Sequence, residues 1–269
     1  EGGEPLADPD GYTGTGVLVD EARGVTIRGG SIRGYKVGVR GRRSPRLHIT
    51  GLDASYNWKA RLYSGIEKES LIDWMSYHNN EKDEWLRYGA AIYLSECDEA
   101  EIDNSRAVQG QNGLMVTRSA RLRIWNNTFS WLSGIGLGMY RTTDSLVMHN
   151  RLDWAVRGYS HGFYYRGQDS SALLMYEQSS GNTVAYNSAT HGGDGLFLWA
   201  GQSTMDTGQG GANDNLFYGN DFSHAVANGI EATFSRNRFV SNRIDDCWHG
   251  VWGGYSYDTK FLWNTFAGN

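Results

Sequence analysis

Apolar positions along this chain come in short runs separated by Asn, Gly, Asp and Ser, and the whole phrase returns about every two dozen residues. An apolar residue is followed by a small polar one, usually Asn, and then by a second apolar residue; a Gly and a short apolar strand come next. Successive units read Ile124/Asn127/Phe129 then Gly134, Val147/Asn150/Leu152 then Gly162, and Val184/Asn187/Ala189 then Gly195. They continue as Phe217/Asn220/Phe222 then Gly229, Phe239/Asn242/Ile244 then Gly250, and Phe261/Asn264/Phe266. Extended backwards, the phrase gives Ile102/Ser105/Ala107 then Gly113, Leu47/Thr50/Leu52 then Trp58, and Ile27/Gly30/Ile32 then Gly38. Runs of Val, Ile, Phe and Leu bounded by turn residues are strands, and no unit carries a helical apolar period. The pattern predicts an all-β, single-domain parallel β-helix of roughly nine coils. Equivalent positions then stack at about 4.8 Å, and the Asn row hydrogen-bonds up the stack as a structural ladder.

Composition adds exclusions. Glycine is abundant, with 36 residues against 3 prolines. With 25 basic and 30 acidic residues and no basic cluster beyond Arg40, Arg42 and Arg43, nucleic acid is not an expected partner. No stretch is long or apolar enough to span a membrane. Cys97 and Cys247 fall several coils apart, too far for a disulfide. The chain begins at Glu1, as a processed secreted protein or a trimmed one would. Solenoids need covered ends, and the last coil stops three residues after Phe266. A further domain or a partner chain over the ends is therefore expected.

Insertions in a regular repeat gather on one face and carry function. Beyond an N-terminal extension, 1–16, a partly helical insertion is expected at 59–88, with Ser70–Tyr77 as its helix. Longer loops are expected at 166–183 and 199–214, leaving one edge side by side and walling a cleft. Residues just before the row Gly read Asn112, Ser133, His161, Asp194, Asn228 and His249. Two places after it, where side chains point outward, come Tyr164, Phe197, Glu231 and Trp252; four places after it come Arg166, Trp199 and Thr233. Carboxylates and imidazoles for proton transfer beside aromatic rings suit carbohydrate. His191 and His224 fall on turns of another face and read as structural.

With its Asn rows and Gly-led strands, the chain resembles the right-handed parallel β-helix superfamily, including pectate-lyase-like and NosD-like repeat proteins, over about Val17 to Asn269. That resemblance implies polysaccharide lyases, glycoside hydrolases or uronate epimerases as relatives. His161-Gly-Phe-Tyr164-Tyr-Arg166 occupies the place of the Tyr-Gly-Phe-Asp-Pro-His motif of mannuronan C5-epimerases, and Asp194-Gly-Leu and Asn228-Gly-Ile correspond to that family's next catalytic coils. Only Asp194 is retained in kind. The Ile230-Glu231-Ala strand resembles the acid-bearing strand of some β-helix glycosidases.

Three readings follow. As a glycoside hydrolase acting on a polysaccharide or oligosaccharide, the protein uses Asp194 and Glu231 as a carboxylate pair at the inverting separation of about 6.5–9.5 Å. His161 is catalytic or holds substrate with Tyr164, Arg166, Trp199, Asn228, His249 and Trp252, and Asp206 or Asp169 could replace either acid. As a lyase or epimerase, Arg166 neutralises a uronate and His161 or Tyr164 takes the proton. As a binding solenoid, Trp199 and Trp252 matter and the acids do not. No cofactor is expected; calcium could assist, but no dense carboxylate cluster marks a site for it. The expected location is secreted or periplasmic.

Overall fold

A computed structural model of the protein describes residues 8–73, 80–158, 170–200 and 202–269. The chain winds into a parallel solenoid whose two main walls are each a nine-stranded parallel sheet. The first sheet runs from Thr15–Asp20 through Val37–Arg42, Ala90–Ser95, Leu114–Thr117, Ile135–Tyr140, Ser171–Tyr176, Asp194–Trp199 and Asn228–Ala232 to His249–Trp252. The second stacks three-residue strands from Thr26–Arg28 to Lys260–Leu262. A third corner is held by single bridges and short pairs such as Thr128–Phe129 with Arg106–Ala107. The nine expected coils are present.

The inside is one continuous core of Leu, Ile, Val, Met and Phe. Identical positions stack on one another; Phe217, Phe239 and Phe261 lie face to face with centroids 4.7 Å apart at each step. The row Gly exists because a Cβ there would point into the backbone of the next coil. At Gly113 it would come within 2.5 Å of the Gly136 carbonyl oxygen, closer than packed atoms approach.

The Asn row is a ladder. Backbone N–H and Nδ2 of Asn127, Asn150, Asn187, Asn220 and Asn242 each donate to Oδ1 of the next member, ending at Asn264. Each Nδ2 also reaches a core carbonyl, as Asn187 reaches Val147 at 3.0 Å. A second ladder, not anticipated from sequence, runs Asn182, Asn215, Asn237 at another corner. The residue before each member of the first ladder adopts left-handed backbone: Asn126, His149, Tyr186, Gly219, Ser241 and Trp263. That bend turns the second sheet into the third corner, and the Asn bonds offset its cost of about 1–2 kcal/mol per non-Gly residue.

Register departs from expectation in three coils. The pairings put Gly136 and Ala172, not Gly134 and Gly162, in line with Gly113 and Gly195. In the second coil Ile49, not Leu47, stacks on Ile27 and Ile102. At Ala172, as at Ala91, a methyl stands at the Gly position, so Gly is not an obligatory marker. As a result the loop expected at 166–183 contains buried strand Ser171–Tyr176 and ends at the first residue of strand Thr183–Ala185, and the extra chain of that coil precedes its strand. The 199–214 insertion follows its strand.

The described part of the 59–88 insertion packs on the outer face of the first sheet. It contains 3-10 turns at Leu71–Asp73 and Glu84–Tyr88; Trp74–Tyr77 of the expected helix lie outside the described residues. Trp85, 3 % exposed, makes edge-to-face contacts with Tyr140 and Tyr176 at 5.5 and 5.7 Å. With Tyr93, Met115, Ile135 and Leu174 these rings form a second apolar core outside the solenoid. A buried ion pair pins the insertion's far side: Arg157 Nη2 donates to Asp73 Oδ1 at 2.9 Å and to the Arg61 carbonyl at 2.7 Å. Burial pushes the Asp73 carboxyl up, but hydrogen bonds from Ser64 and Tyr63 and the charge of Arg157 outweigh it and hold the pKa below the usual carboxylate range.

Two outcomes are expected. Asn187→Ala removes the Oδ1 that accepts from the Asn150 backbone N–H and Nδ2, and one donor to the Val147 carbonyl, and should destabilise the protein by about 1–3 kcal/mol in urea denaturation. Because Asp73 is more acidic folded than unfolded, its contribution is complete above about pH 4 and is lost as pH falls through the folded value. Protease cleavage within 59–73 should therefore accelerate in acid, and Asp73→Asn should cleave fast at every pH.

Candidate functional site

On the first sheet, side chains at three strand positions face outward. Trp85 of the insertion covers this face over Tyr140 and Tyr176, and Phe197 and Trp199 of the coil that begins with Asp194 pack against the same cluster. Beyond it the outward rows continue in register. Glu231 stacks between Phe197 and Trp252, while Trp199 follows Tyr140 and Tyr176 in the next row. Phe197 and Trp199 pack edge-to-face at 5.4 Å, and Trp199 meets Phe234 at 6.1 Å. Trp252 is 43 % exposed.

Asp194, Asn228 and His249 form the outward row at the start of these strands. Asn228 is the hub of the cluster. Its backbone N–H and Nδ2 donate to Asp194 Oδ1 at 2.9 and 3.0 Å, Nδ2 also donates to Glu231 Oε2 at 2.9 Å, and its Oδ1 faces His249 Nδ1 at 3.1 Å. Asp194 is 4 % exposed and Asn228 9 %. Glu231 is half-buried, and His249 is exposed.

This arrangement fixes two chemical facts. Oxygens of both acids share one nitrogen, so they are no more than about 6 Å apart. That is shorter than the inverting separation expected from strand geometry and near the retaining one, about 5–5.5 Å. The two hydrogens on Nδ2 are both directed at carboxylate oxygens, so the Asn228 amide cannot be flipped and its Oδ1 can only accept. His249 therefore donates from Nδ1, and in its neutral form keeps a lone pair on Nε2.

The structure thus brings Asp194, Glu231, Asn228, His249, Trp199 and Trp252 to one stretch of the first sheet. Asp206 sits apart from that face, on the short helix Gln202–Thr207 at the sheet's edge. His161, Tyr164, Arg166 and Asp169 lie outside the described residues. The row positions expected for the first three are held by Ser171, Leu174 and Tyr176, and the one expected for Ser133 by Ile135. Sequence reasoning missed the wall beside the site, Trp85 with Tyr140 and Tyr176. Its signal was a run of outward aromatics that an exposed sheet face would not need. Burial and the neighbouring Glu177 push the Tyr176 hydroxyl well above its ordinary pKa. His191 and His224 stack on each other at 4.7 Å on a different corner. Among the described residues, His48, Glu101 and Asp103 on the second sheet are near enough together to hold a metal ion. In the structure Asp103 is engaged by His48 and Thr50 at 2.6 and 2.7 Å, and the site on the first sheet has no part in it.

The tautomer is measurable. Nitrogen-15 NMR of His249 should show the neutral ring protonated at Nδ1, and Asn228→Ala should return it to the mixture typical of free imidazole.

Among solved structures, a double mutant of the periplasmic alginate epimerase AlgG matches 96 % of this chain and 73 % of its own, at 12 % identity and a TM-score of 0.48. The surface adhesin PfbA of Streptococcus pneumoniae matches 93 % of this chain and 62 % of its own, at 12 % identity and 0.47. The lacto-N-biosidase of Eubacterium ramulus matches 97 % of this chain and 54 % of its own, at 11 % identity and 0.46. These likenesses concern architecture, and no curated protein matches the chain. The family model described as right handed beta helix region matches residues 73–266, and with its two nine-stranded parallel walls the chain belongs to the right-handed β-helix family.

Proposed function

We propose that the protein is a carbohydrate-active enzyme that hydrolyses glycosidic bonds of a polysaccharide or oligosaccharide, with Asp194 and Glu231 as its carboxylate pair. The observation that carries this is the sharing of Asn228 Nδ2 by both acids on a face lined by Phe197, Trp199 and Trp252. Two carboxyls at that separation leave no room for a water between them, and the spacing suits a covalent glycosyl intermediate. Glu231, between two aromatic neighbours and open to the cleft, protonates the leaving oxygen. Asp194 attacks the anomeric carbon and the leaving oxygen takes the proton of Glu231. Water, deprotonated by Glu231, then releases the sugar. The aromatic rings hold the sugar faces. A polymeric substrate is met outside the cytoplasm, so a secreted or periplasmic location belongs to the proposal.

A second reading, a lyase or uronate epimerase, draws on one specific feature: the Nε2 lone pair of neutral His249, which could take a proton alpha to a carboxylate.

Glu231→Gln keeps the bond from Asn228 only if the new amide turns its oxygen inward, so the fold should survive while turnover falls by roughly 10²–10⁴. Reducing-end release from a panel of plant, algal and bacterial polysaccharides measures this, and anomeric proton NMR of the first product should show retention. Full activity in the variant would sink the pair.

A further inference from the structure

We infer a transition-metal site on the outer face of the second sheet, in which His48, Glu101 and Asp103 take one zinc-class divalent cation; their ligand atoms all lie within 4.8 Å of one another. It does not depend on the reaction proposed above. The strands that carry it are the second and third of their sheet, whereas the Asp194 strand is the seventh of the other. The two sites therefore stand on different walls and about 19 Å or more apart along the stack.

The site follows from register. Strands His48–Thr50 and Glu101–Asp103 pair with Ile49 on Ile102, and both isoleucines are fully buried in the core. Alternation turns the flanking residues of both strands outward, with His48 over Glu101 and Thr50 over Asp103. The imidazole reaches diagonally, and its Nε2 lies 2.6 Å from Asp103 Oδ2. Thr50 Oγ1 donates to the other oxygen, Oδ1, at 2.7 Å, and the Asn104 amide donates to it as well. Glu101 is held from the next coil, where Trp125 Nε1 donates to its Oε1 at 2.9 Å. Donors of this kind are what orient the ligands of metal sites. The row of Asp103 continues as Trp125, Met148 and Ala185, so a carboxylate there, its side chain 5 % exposed, is an anion in otherwise apolar company.

The donor set suits the ion. One imidazole nitrogen and two carboxylates are a zinc set with the fourth position open to water, whereas calcium asks for six to eight oxygens. Metal bonds of about 2.0–2.2 Å place ligands about 3.4 Å apart around a tetrahedral ion, so Nε2 and Oδ2 need part by less than about 1 Å. The His48 side chain is 35 % exposed, which gives the ion a way in from solvent. Charge is matched too. Burial pushes the Asp103 carboxyl up, but hydrogen bonds from Thr50, His48 and Asn104 outweigh it and hold its pKa below the usual carboxylate range. Two carboxylates then meet one dication. In neutral His48 the proton sits on Nε2, facing the Asp103 anion. On binding it moves to Nδ1 and the Nε2 lone pair goes to the ion, with no net release of a proton.

Titrating the full, chelator-treated chain with zinc chloride by calorimetry, with calcium chloride for comparison, tests this. Zinc should bind at one equivalent and calcium at least tenfold more weakly. His48→Ala and Glu101→Gln should each weaken zinc at least tenfold, while His249→Ala leaves it unchanged. Nitrogen-15 NMR of the unaltered chain should show the His48 proton move from Nε2 to Nδ1 as zinc is added, a readout that misfolding of a variant cannot imitate. Absence of zinc binding would overturn the site, as would calcium binding equally tightly or a His48 ring still protonated at Nε2 with zinc bound. Zinc binding that survives His48→Ala but is lost in His249→Ala would place the ion on the first sheet and overturn it too.

Discussion

A side-chain amide buried in a protein must have its hydrogen bonds met, and in the first Asn ladder the neighbouring coils meet most of them. Each Asn of the first ladder gives its protons to the next member and to a core carbonyl. A shift by one residue would leave several buried donors and acceptors unmet at once, each costing about 1–3 kcal/mol. Register is locked coil by coil, and with it the alternation that decides which side chains face in and which face out. The apolar stacks of Phe217, Phe239 and Phe261 follow the same register and add dispersion to it.

The outward face of the first sheet is where this constraint becomes chemistry. Asp194, Asn228 and His249 stand in one row because their coils are in register, and Glu231 reaches the same hub from the next outward row. Asn228 uses the ladder's own geometry, backbone N–H and Nδ2 to one oxygen, but its acceptor is a carboxylate and its second proton goes to another. Trp85 of the insertion packs with Tyr140 and Tyr176 on the same face, and Phe197 and Trp199 join that external core to the polar cluster.

Much of the fold was legible because the Asn positions repeat and their burial admits few substitutes. The corners were less legible. Ala172 fills a position that Gly fills elsewhere, so His161-Gly162 imitated a strand start one loop too early, and Ser171–Tyr176 was read as part of a loop. The carboxylate spacing was misjudged for a different reason. Strand rise and coil spacing give backbone separations, but the distance between the acids is set by a shared amide that pulls both side chains toward it. The cover over Tyr140 and Tyr176 was hidden as well, because Trp85 lies in the insertion, outside the repeat that places the two tyrosines in one row.

Digestion in water enriched in oxygen-18, with the soluble products weighed by mass spectrometry, addresses the central claim most directly. A carboxylate pair that hydrolyses glycosidic bonds predicts one heavy oxygen at each new reducing end. Products lacking that oxygen and carrying a new double bond would contradict it and transfer the chemistry to proton abstraction at His249.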